Sequence, residues 1–347
     1  VQLSTTAVGS LNRSASDQSA KPLFMPAPID KIRQLCALML NDNPGDHFHT
    51  LGMSFTDIQP GKIRARLPYR HAIVGNPESG IIHGGAVTAL LDTSCGFAAV
   101  AALEQLSLCP TMDLRIDYMQ PAKPGMTIHA EAEAYRITTN VIFCRGLAFQ
   151  EDRERPIAHC VANFIRMDRD VSAAMSAQLE HRLAQGSAVA VPAPAPASQT
   201  PNPPRSLAQT LQADRQQQAP TLLLEALPYA KLLGIKSLHQ GAALQFHLPP
   251  KRSNVGNPTL PALHGGAVAG FMEMAAAIYL LINMPLPRVP RVVDFSIDYI
   301  RAGRLEDTYA SCTLIRQGRK LVNVVIHAWQ RDQNQPIATA RAHFLID

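Results

Sequence analysis

The chain has 347 residues, 46% of them apolar and 17% charged, a composition that builds packed cores, excludes wholesale disorder and, at about 100 to 200 residues per domain, favours two globular units. The 32 Lys and Arg against 27 Asp and Glu leave a charge of +5, which tolerates an anionic ligand but lacks the dense basic runs of a nucleic-acid binder. Six cysteines (Cys36, Cys95, Cys109, Cys144, Cys160 and Cys312) show neither a C-x-x-C pair nor zinc spacing, so they read as reduced thiols of a cytoplasmic protein.

Residues 1–24 are polar, rich in Ser and Ala near their start, and without the basic-then-apolar order of a signal peptide, so a disordered N-terminus is expected. A first unit spans 25–168. It opens with a helix over 29–40 and a polar-apolar alternating strand over 63–67, followed by a loop that ends in His83-Gly84-Gly85. The run 86–103 is apolar on every side, about 27 Å long as a helix, and a helix of that kind must be buried. Beyond it Met112, Leu114, Ile116 and Tyr118 alternate with Asp113, Arg115 and Asp117, which predicts a strand with one face on a core. Runs of the same period at 141–149 and 157–165 close the unit.

Residues 169–220 read as a linker, semi-rigid where Pro alternates with Ala between Pro192 and Pro204. It leaves room for a short surface helix at 171–185 and a solvated tether at Gln216-Gln217-Gln218. The second unit, 221–347, follows the first: a helix over 222–232, a strand over 243–248, His264-Gly265-Gly266, and an apolar run over 267–283. The face Val293, Phe295, Ile297 and Tyr299 comes next, and alternating runs at 322–329 and 337–344 end it. Glu273 and Gly270 interrupt the apolar run and Pro285 ends it; a central carboxylate costs about 2.5 to 3.5 kcal/mol in a bilayer, which favours a core helix over a membrane span.

The second unit repeats the first. Val74-Gly75-Asn76-Pro77 returns as Val255-Gly256-Asn257-Pro258, His83-Gly84-Gly85-Ala86-Val87 as His264-Gly265-Gly266-Ala267-Val268, and Ile116-Asp117-Tyr118 as Ile297-Asp298-Tyr299, each 181 positions on. Pro156-Ile157-Ala158 returns 180 positions on as Pro336-Ile337-Ala338, one residue having been lost in a loop. One domain is present twice.

In each copy His-Gly-Gly leads into the buried helix, whose N-terminus offers unpaired N–H groups and a positive dipole end, while glycine lets a ligand approach the backbone. That is the raw material of an oxyanion site. Asp92 and Glu273 lie mid-helix among apolar neighbours, where burial of an unpaired carboxylate is costly and shifts its pKa. They read as functional candidates, with a packing carboxylate held by a loop as the plainer alternative. The nine residues from His83 to Asp92 put that carboxylate about 13 Å from its own helix start. Two such helices packed antiparallel across a pseudo-two-fold axis would bring each carboxylate to the N-terminus of the other.

Asn76, His83, Gly84, Gly85, Asp92 and the segment 110–124, echoed in the second copy, resemble the hotdog fold and, within it, the phenylacetate-type acyl-CoA thioesterases. The resemblance implies an α+β chain of tandem hotdog domains, each a long buried helix wrapped by an antiparallel sheet, joined as an intrachain pseudo-dimer. It implies hydrolysis of acyl-CoA or acyl-carrier thioesters at two composite sites. In one, Asn257, His264 and Gly265 meet Asp92 and Thr111. In the other, Asn76, His83 and Gly84 meet Glu273, but Val292 stands where Thr111 does and Ala277 where some relatives carry a Thr one turn after the glutamate. The Asp92 site is therefore expected to be the stronger. The N–H of Gly265 would polarise the carbonyl, Asp92 would act as general base or nucleophile, Asn257 and Thr111 would position water, and His264 would orient the loop. Gly85 and Gly266 would border the coenzyme A part of the substrate, with no other cofactor, no metal, no nucleic acid and no membrane insertion. Pairing of whole chains into a homodimer follows by analogy.

Arg115, Lys123, Arg301, Arg304, Arg319 and Lys320 read either as contacts to coenzyme A phosphates or as exposed charges. Phe97, Phe271, Met272, Met274 and Tyr279 read as acyl-tunnel lining or as plain core, and Cys95 as core. No G-x-S-x-G elbow, P-loop or G-x-G-x-x-G is present, which sets aside serine hydrolase, nucleotide and nicotinamide chemistry. A hotdog dehydratase and a non-catalytic acyl-thioester binder stay open as alternatives.

Overall fold

The computed structural model describes residues 45–104, 107–167, 206–240, 243–257, 261–286 and 289–346, with isolated positions at 30, 32–34, 173, 177 and 181. The expected N-terminal tail, most of the first leading helix and, apart from those isolated positions, the linker up to residue 205 lie outside them. The chain runs α1 (His47–Leu51), β1 (Ser54–Gln59), β2 (Lys62–Leu67), β3 (Val74–Asn76), β4 (Ile81–Ile82), α2 (Gly84–Ala101), β5 (Thr111–Tyr118), β6 (Ile128–Ile137), β7 (Val141–Phe149) and β8 (Ala158–Ile165). The second half runs α3 (Leu207–Gln217), α4 (Thr221–Ala226), α5 (Pro228–Leu233), β9 (Lys236–Gln240), β10 (Ala243–Leu248), β11 (Val255–Asn257), β12 (Ala262–Leu263), α6 (Gly265–Asn283), β13 (Arg291–Tyr299), β14 (Thr308–Gln317), β15 (Leu321–Trp329) and β16 (Ala338–Leu345).

Twelve strands form one antiparallel sheet in the order β1-β2-β6-β7-β8-β5-β13-β16-β15-β14-β10-β9. Period-two patterning sets its two faces: in β2, Ile63, Ala65 and Leu67 are buried while Lys62, Arg64 and Arg66 are exposed. The apolar helices α2 and α6 fill the space that this sheet encloses, and both are buried along almost their whole length. Each passes for a membrane span on length and hydropathy alone; here each is the core of its own domain.

The two halves join where β5 pairs with β13. Arg115 lies opposite Ser296, Asp117 opposite Asp294 and Asp113 opposite Asp298. Because Arg115 and Ser296 are equivalent in the repeat, this register puts a pseudo-two-fold axis through that pair. Under it the helices cross antiparallel: Gly85 at the start of α2 faces Gly270 within α6, and Gly266 at the start of α6 faces Ala89. A Cβ on Gly85 would lie 2.5 Å from the Gly270 Cα, so only glycine permits backbones this close.

Three expectations need correction. The tether at Gln216-Gln217-Gln218 is instead the end of α3, which has a capping box between Ser206 and Gln209 and buries Leu207 and Leu211. Its Arg215 donates to the carbonyls of Leu281, Met284 and Leu286 at 2.7, 2.5 and 2.9 Å, which ties α3 to the end of α6. The helix expected over 222–232 is broken into α4 and α5, because Leu227, preceding Pro228, is held extended. Strands β1, β6, β9 and β14 escape the hydropathy pattern. In β6 the inward residues include Ala130 and Ala132, too small to contrast strongly with Glu131 and Glu133.

Candidate active site

Each buried helix begins at a histidine. His83 and His264 are the N-caps of α2 and α6, with their Nδ1 atoms accepting the N–H of Gly85 and Gly266, both at 2.9 Å. A ring nitrogen that accepts a backbone N–H carries no proton there. The approaches of His83 Nδ1 to Glu273 at 3.8 Å and of His264 Nδ1 to Asp92 at 3.7 Å are therefore proximity rather than ion pairs. Burial pushes His83 down to about 3, so the imidazole that caps α2 is neutral.

The antiparallel crossing carries each carboxylate to the other copy's helix start. Asp92 is 5% and Glu273 2% exposed. The built Cβ of Gly265 would lie 2.8 Å from Asp92 Oδ2, and that of Gly84 would collide with Glu273 Oε1, so the first glycine of each His-Gly-Gly makes room for the partner's acid. The expected composite sites thus come together in space, His264-Gly265-Gly266 with Asp92 and His83-Gly84-Gly85 with Glu273.

At the Asp92 site Thr111 Oγ1 donates to Asp92 Oδ1 at 2.9 Å. His264 Nε2 meets Thr93 Oγ1 at 3.0 Å, and Tyr299 donates to the Gly265 carbonyl at 2.8 Å. The His47 ring lies 5.2 Å from that of His264. His47 is pushed down to about 3, chiefly by burial. Burial raises the Asp92 carboxyl, opposed by His264, by the Thr111 hydroxyl and by the N–H of Gly266. Asn257 ends β11, but its side chain lies outside the described residues.

At the Glu273 site the carboxylate Oε2 accepts from Tyr118 at 2.8 Å, and the Tyr118 hydroxyl meets Thr88 Oγ1 at 2.7 Å. Tyr229 stacks on His83 with ring centroids 4.8 Å apart. Burial pushes Glu273 up to about 8, against the hydrogen bonds from Tyr118 and the Gly85 N–H. Asn76 Oδ1 accepts the N–H of Glu78 at 3.0 Å, which ties the Asn-Pro turn together. A cavity of about 420 Å³ opens at this site, and Asn76, His83, Gly84, Tyr118, Glu273 and Val292 are among its walls.

Tyr118, Thr88, Tyr229, Tyr299 and His47 were not singled out from sequence as site residues. The repeated Ile-Asp-Tyr was the available signal for the two strand tyrosines. Of the five candidate tunnel residues, none lines the 420 Å³ cavity; Phe271, Met272 and Met274 are core. Arg115 pairs with Asp117 and Lys123 with Glu151 on the surface, and Arg301 donates to the Pro336 carbonyl. Arg319 and Lys320 border a separate surface hollow. Cys95 is buried and its thiol is raised, first by the contact with Cys160 at 3.6 Å, so it is inert core.

The sequence profile of the thioesterase superfamily matches residues 79–157 and 260–337, one match in each copy. A Salmonella typhimurium protein named a medium/long-chain acyl-CoA thioesterase is 25% identical over 135 residues, covering 35% of this chain and 86% of that one. A Halobacterium salinarum protein provisionally named an esterase is 33% identical over 94 residues, 26% of this chain and 61% of that protein, so the chain spans less than two thirds of its length. A solved hotdog-fold protein from Alicyclobacillus acidocaldarius covers 86% of this chain and 97% of its own at a TM-score of 0.53 and 13% identity, a likeness of fold.

Proposed function

The chain belongs to the thioesterase superfamily through both of its halves, and from that premise we propose that it hydrolyses acyl-CoA thioesters at composite sites built across the pseudo-two-fold axis, with Asp92 as the principal catalytic carboxylate. The observation that carries this reading is the pairing of each buried acid with the other copy's helix N-terminus. The N–H of Gly265, in the first turn of α6, has no partner within its helix; it polarises the thioester carbonyl and holds the charge that develops on oxygen. Asp92 takes a proton from water as that water adds to the carbonyl carbon, or itself attacks to give an acyl intermediate that water then opens. In either route the C–S bond breaks, the thiolate leaves and is protonated, and the acid and free thiol are released. Thr111 holds one carboxylate oxygen so that the other faces Gly265, and Asn257 would add a second contact to the water.

His264 and His83 act through the backbone, as caps. Because each Nδ1 already accepts a glycine N–H, neither is equipped for the proton shuttling of a hotdog dehydratase, which counts against that alternative. Coenzyme A as the carrier follows the name of the Salmonella relative.

The test is release of free thiol from a panel of acyl-CoA substrates by wild type and Asp92→Asn. Loss of most turnover, by about a hundredfold or more for removal of a general base, is expected. A wild type that hydrolyses none of the panel, yet is protected thermally by acyl-CoA, would replace the enzyme with a binder.

A further inference from the structure

We propose that Tyr118 is the positioning residue of a second working site at Glu273, supplying from strand β5 the hydroxyl that Val292 and Ala277 lack. This rests on the thioesterase reading and extends it to the site whose sequence looks incomplete.

The two carboxylates are held in the same way by different residues. At Asp92 one oxygen accepts from Thr111 and the other faces Gly265. At Glu273 one oxygen accepts from Tyr118 and the other faces Gly84. A phenol has a single proton, and Tyr118 gives its own to Glu273, so the 2.7 Å contact with Thr88 runs from the threonine hydroxyl to the tyrosine oxygen. The relay Thr88 to Tyr118 to Glu273 points the free face of the carboxylate toward the His83-Gly84 helix start and the cavity.

The equivalents in the Asp92 site are wired otherwise. Ala269 stands in place of Thr88, and Tyr299 gives its proton to the Gly265 carbonyl instead of to the acid. Four differences therefore belong together: the acid one methylene longer, which reaches the strand tyrosine; Val292 for Thr111; Thr88 for Ala269; and the tyrosine turned onto the acid. A decayed site would have lost the hydroxyl and left the carboxylate unpaired. Here the replacement bond is 2.8 Å and the cavity of about 420 Å³ opens at that acid, with Val87, Ala122, Val292 and Phe344 as its apolar walls.

The groups facing Glu273 are His83 from the α2 cap, Tyr118 from β5 and Tyr229 from α5, with Arg291 of β13 also bordering the cavity. His83 is held neutral at about 3, and burial raises both tyrosines, so both keep their protons and Tyr118 is the one that donates to the acid. Tyr118 and the Gly85 N–H are the bonds that hold the Glu273 anion. Removing the phenol takes away one of them and makes the carboxylate harder to ionise.

The experiment uses the full chain with Asp92→Asn throughout, which silences the other site, and follows thiol release from an acyl-CoA substrate against pH. The Asp92→Asn chain is expected to lose most of the wild-type rate and to keep the smaller turnover of the Glu273 site, above background. Adding Tyr118→Phe should lower kcat by at least about tenfold with little change in KM and move the acid limb of the pH profile upward. Adding Val292→Thr to that variant should restore part of the rate by returning a hydroxyl where Thr111 stands in the other site. An Asp92→Asn chain with no turnover beside an active wild type overturns the second site and leaves the Asp92 reading intact. Unchanged kcat and pH profile in Tyr118→Phe overturn the role of the tyrosine, as does a loss of rate with an unmoved limb and no rescue by Val292→Thr. An inert wild type fails the thioesterase reading itself.

Discussion

Glu273 combines near-complete burial with a carboxyl pushed up to about 8 from an ordinary 4.5, and that gap has a consequence for stability. Between those two pH values the folded chain holds a proton at Glu273 that the unfolded chain has released, so the contribution of this group to stability is fully present below pH 4.5 and falls as the pH rises toward 8, by about 1.4 kcal/mol for each pH unit crossed. Glu273→Gln removes this titration. Thermal melts at pH 8 to 9 should therefore show the variant more stable than wild type by a few kcal/mol, with the advantage shrinking toward pH 5; a variant less stable at pH 9 would contradict the burial argument. At Asp92 the hydroxyl of Thr111 is one of the bonds opposing the upward push of burial. Thr111→Val should then move the acid limb of turnover to higher pH in a chain carrying Glu273→Gln, and an unmoved limb would remove Thr111 from the site. These acids and the His-Gly-Gly starts were legible in the sequence because an internal repeat marks them twice at one spacing. Thr88 and Tyr229 were not, since in one dimension they belong to apolar runs, and Tyr118, though repeated as Tyr299, reads there as one more residue of a core face; only the folded crossing shows what they touch.

Between elements, the closest contact is the crossing of α2 and α6. Gly266 faces Ala89 so closely that a Cβ there would overlap the Ala89 backbone, which has no flexible side chain to move aside. Gly266→Ala should cost about 1 to 3 kcal/mol through overpacking and lower turnover at both sites by spreading the helix starts from the acids; an unchanged denaturation midpoint would mean that the crossing can relax freely. Helix α3 shows where composition misleads. Its glutamines resemble a tether, yet Leu207, Thr210, Leu211 and Asp214 are buried at helical spacing, and Asp214 accepts the N–H groups of Leu222 and Leu223 at 3.1 and 2.7 Å. Pattern at 3.6 residues was present but diluted by polar neighbours. Arg215→Met would take the guanidinium donor from three carbonyls at the C-terminal end of α6, of which that of Met284 keeps the Leu286 N–H, and a loss of about 1 to 3 kcal/mol in chemical denaturation is expected.

The molecule as a whole is one sheet, and its two-domain plan was legible from the repeat, including the antiparallel pairing that a carboxylate about 13 Å from its own helix start demands. The β5–β13 register was not, because Asp113 and Asp117 face Asp298 and Asp294 across it, a juxtaposition that charge patterning argues against. It holds because Asn163 donates to Asp113 at 2.8 Å, Arg115 to Asp117 at 2.8 Å and His343 meets Asp294 at 2.9 Å. Ser296→Pro, in the strand shared by both halves, removes a ladder bond at the axis; a cost of about 3 kcal/mol or more and joint loss of both sites are expected in melts and turnover assays, whereas survival of either site would argue against a shared sheet.

In the proposed function the two buried carboxylates, each set against the other copy's helix start, together carry thioester hydrolysis. The most direct measurement is thiol release from acyl-CoA by wild type, Asp92→Asn, Glu273→Gln and the double variant, with folding checked by thermal melts. Turnover is expected in the wild type, and only background hydrolysis in a folded double variant. A folded double variant that keeps a substantial share of wild-type turnover would contradict it.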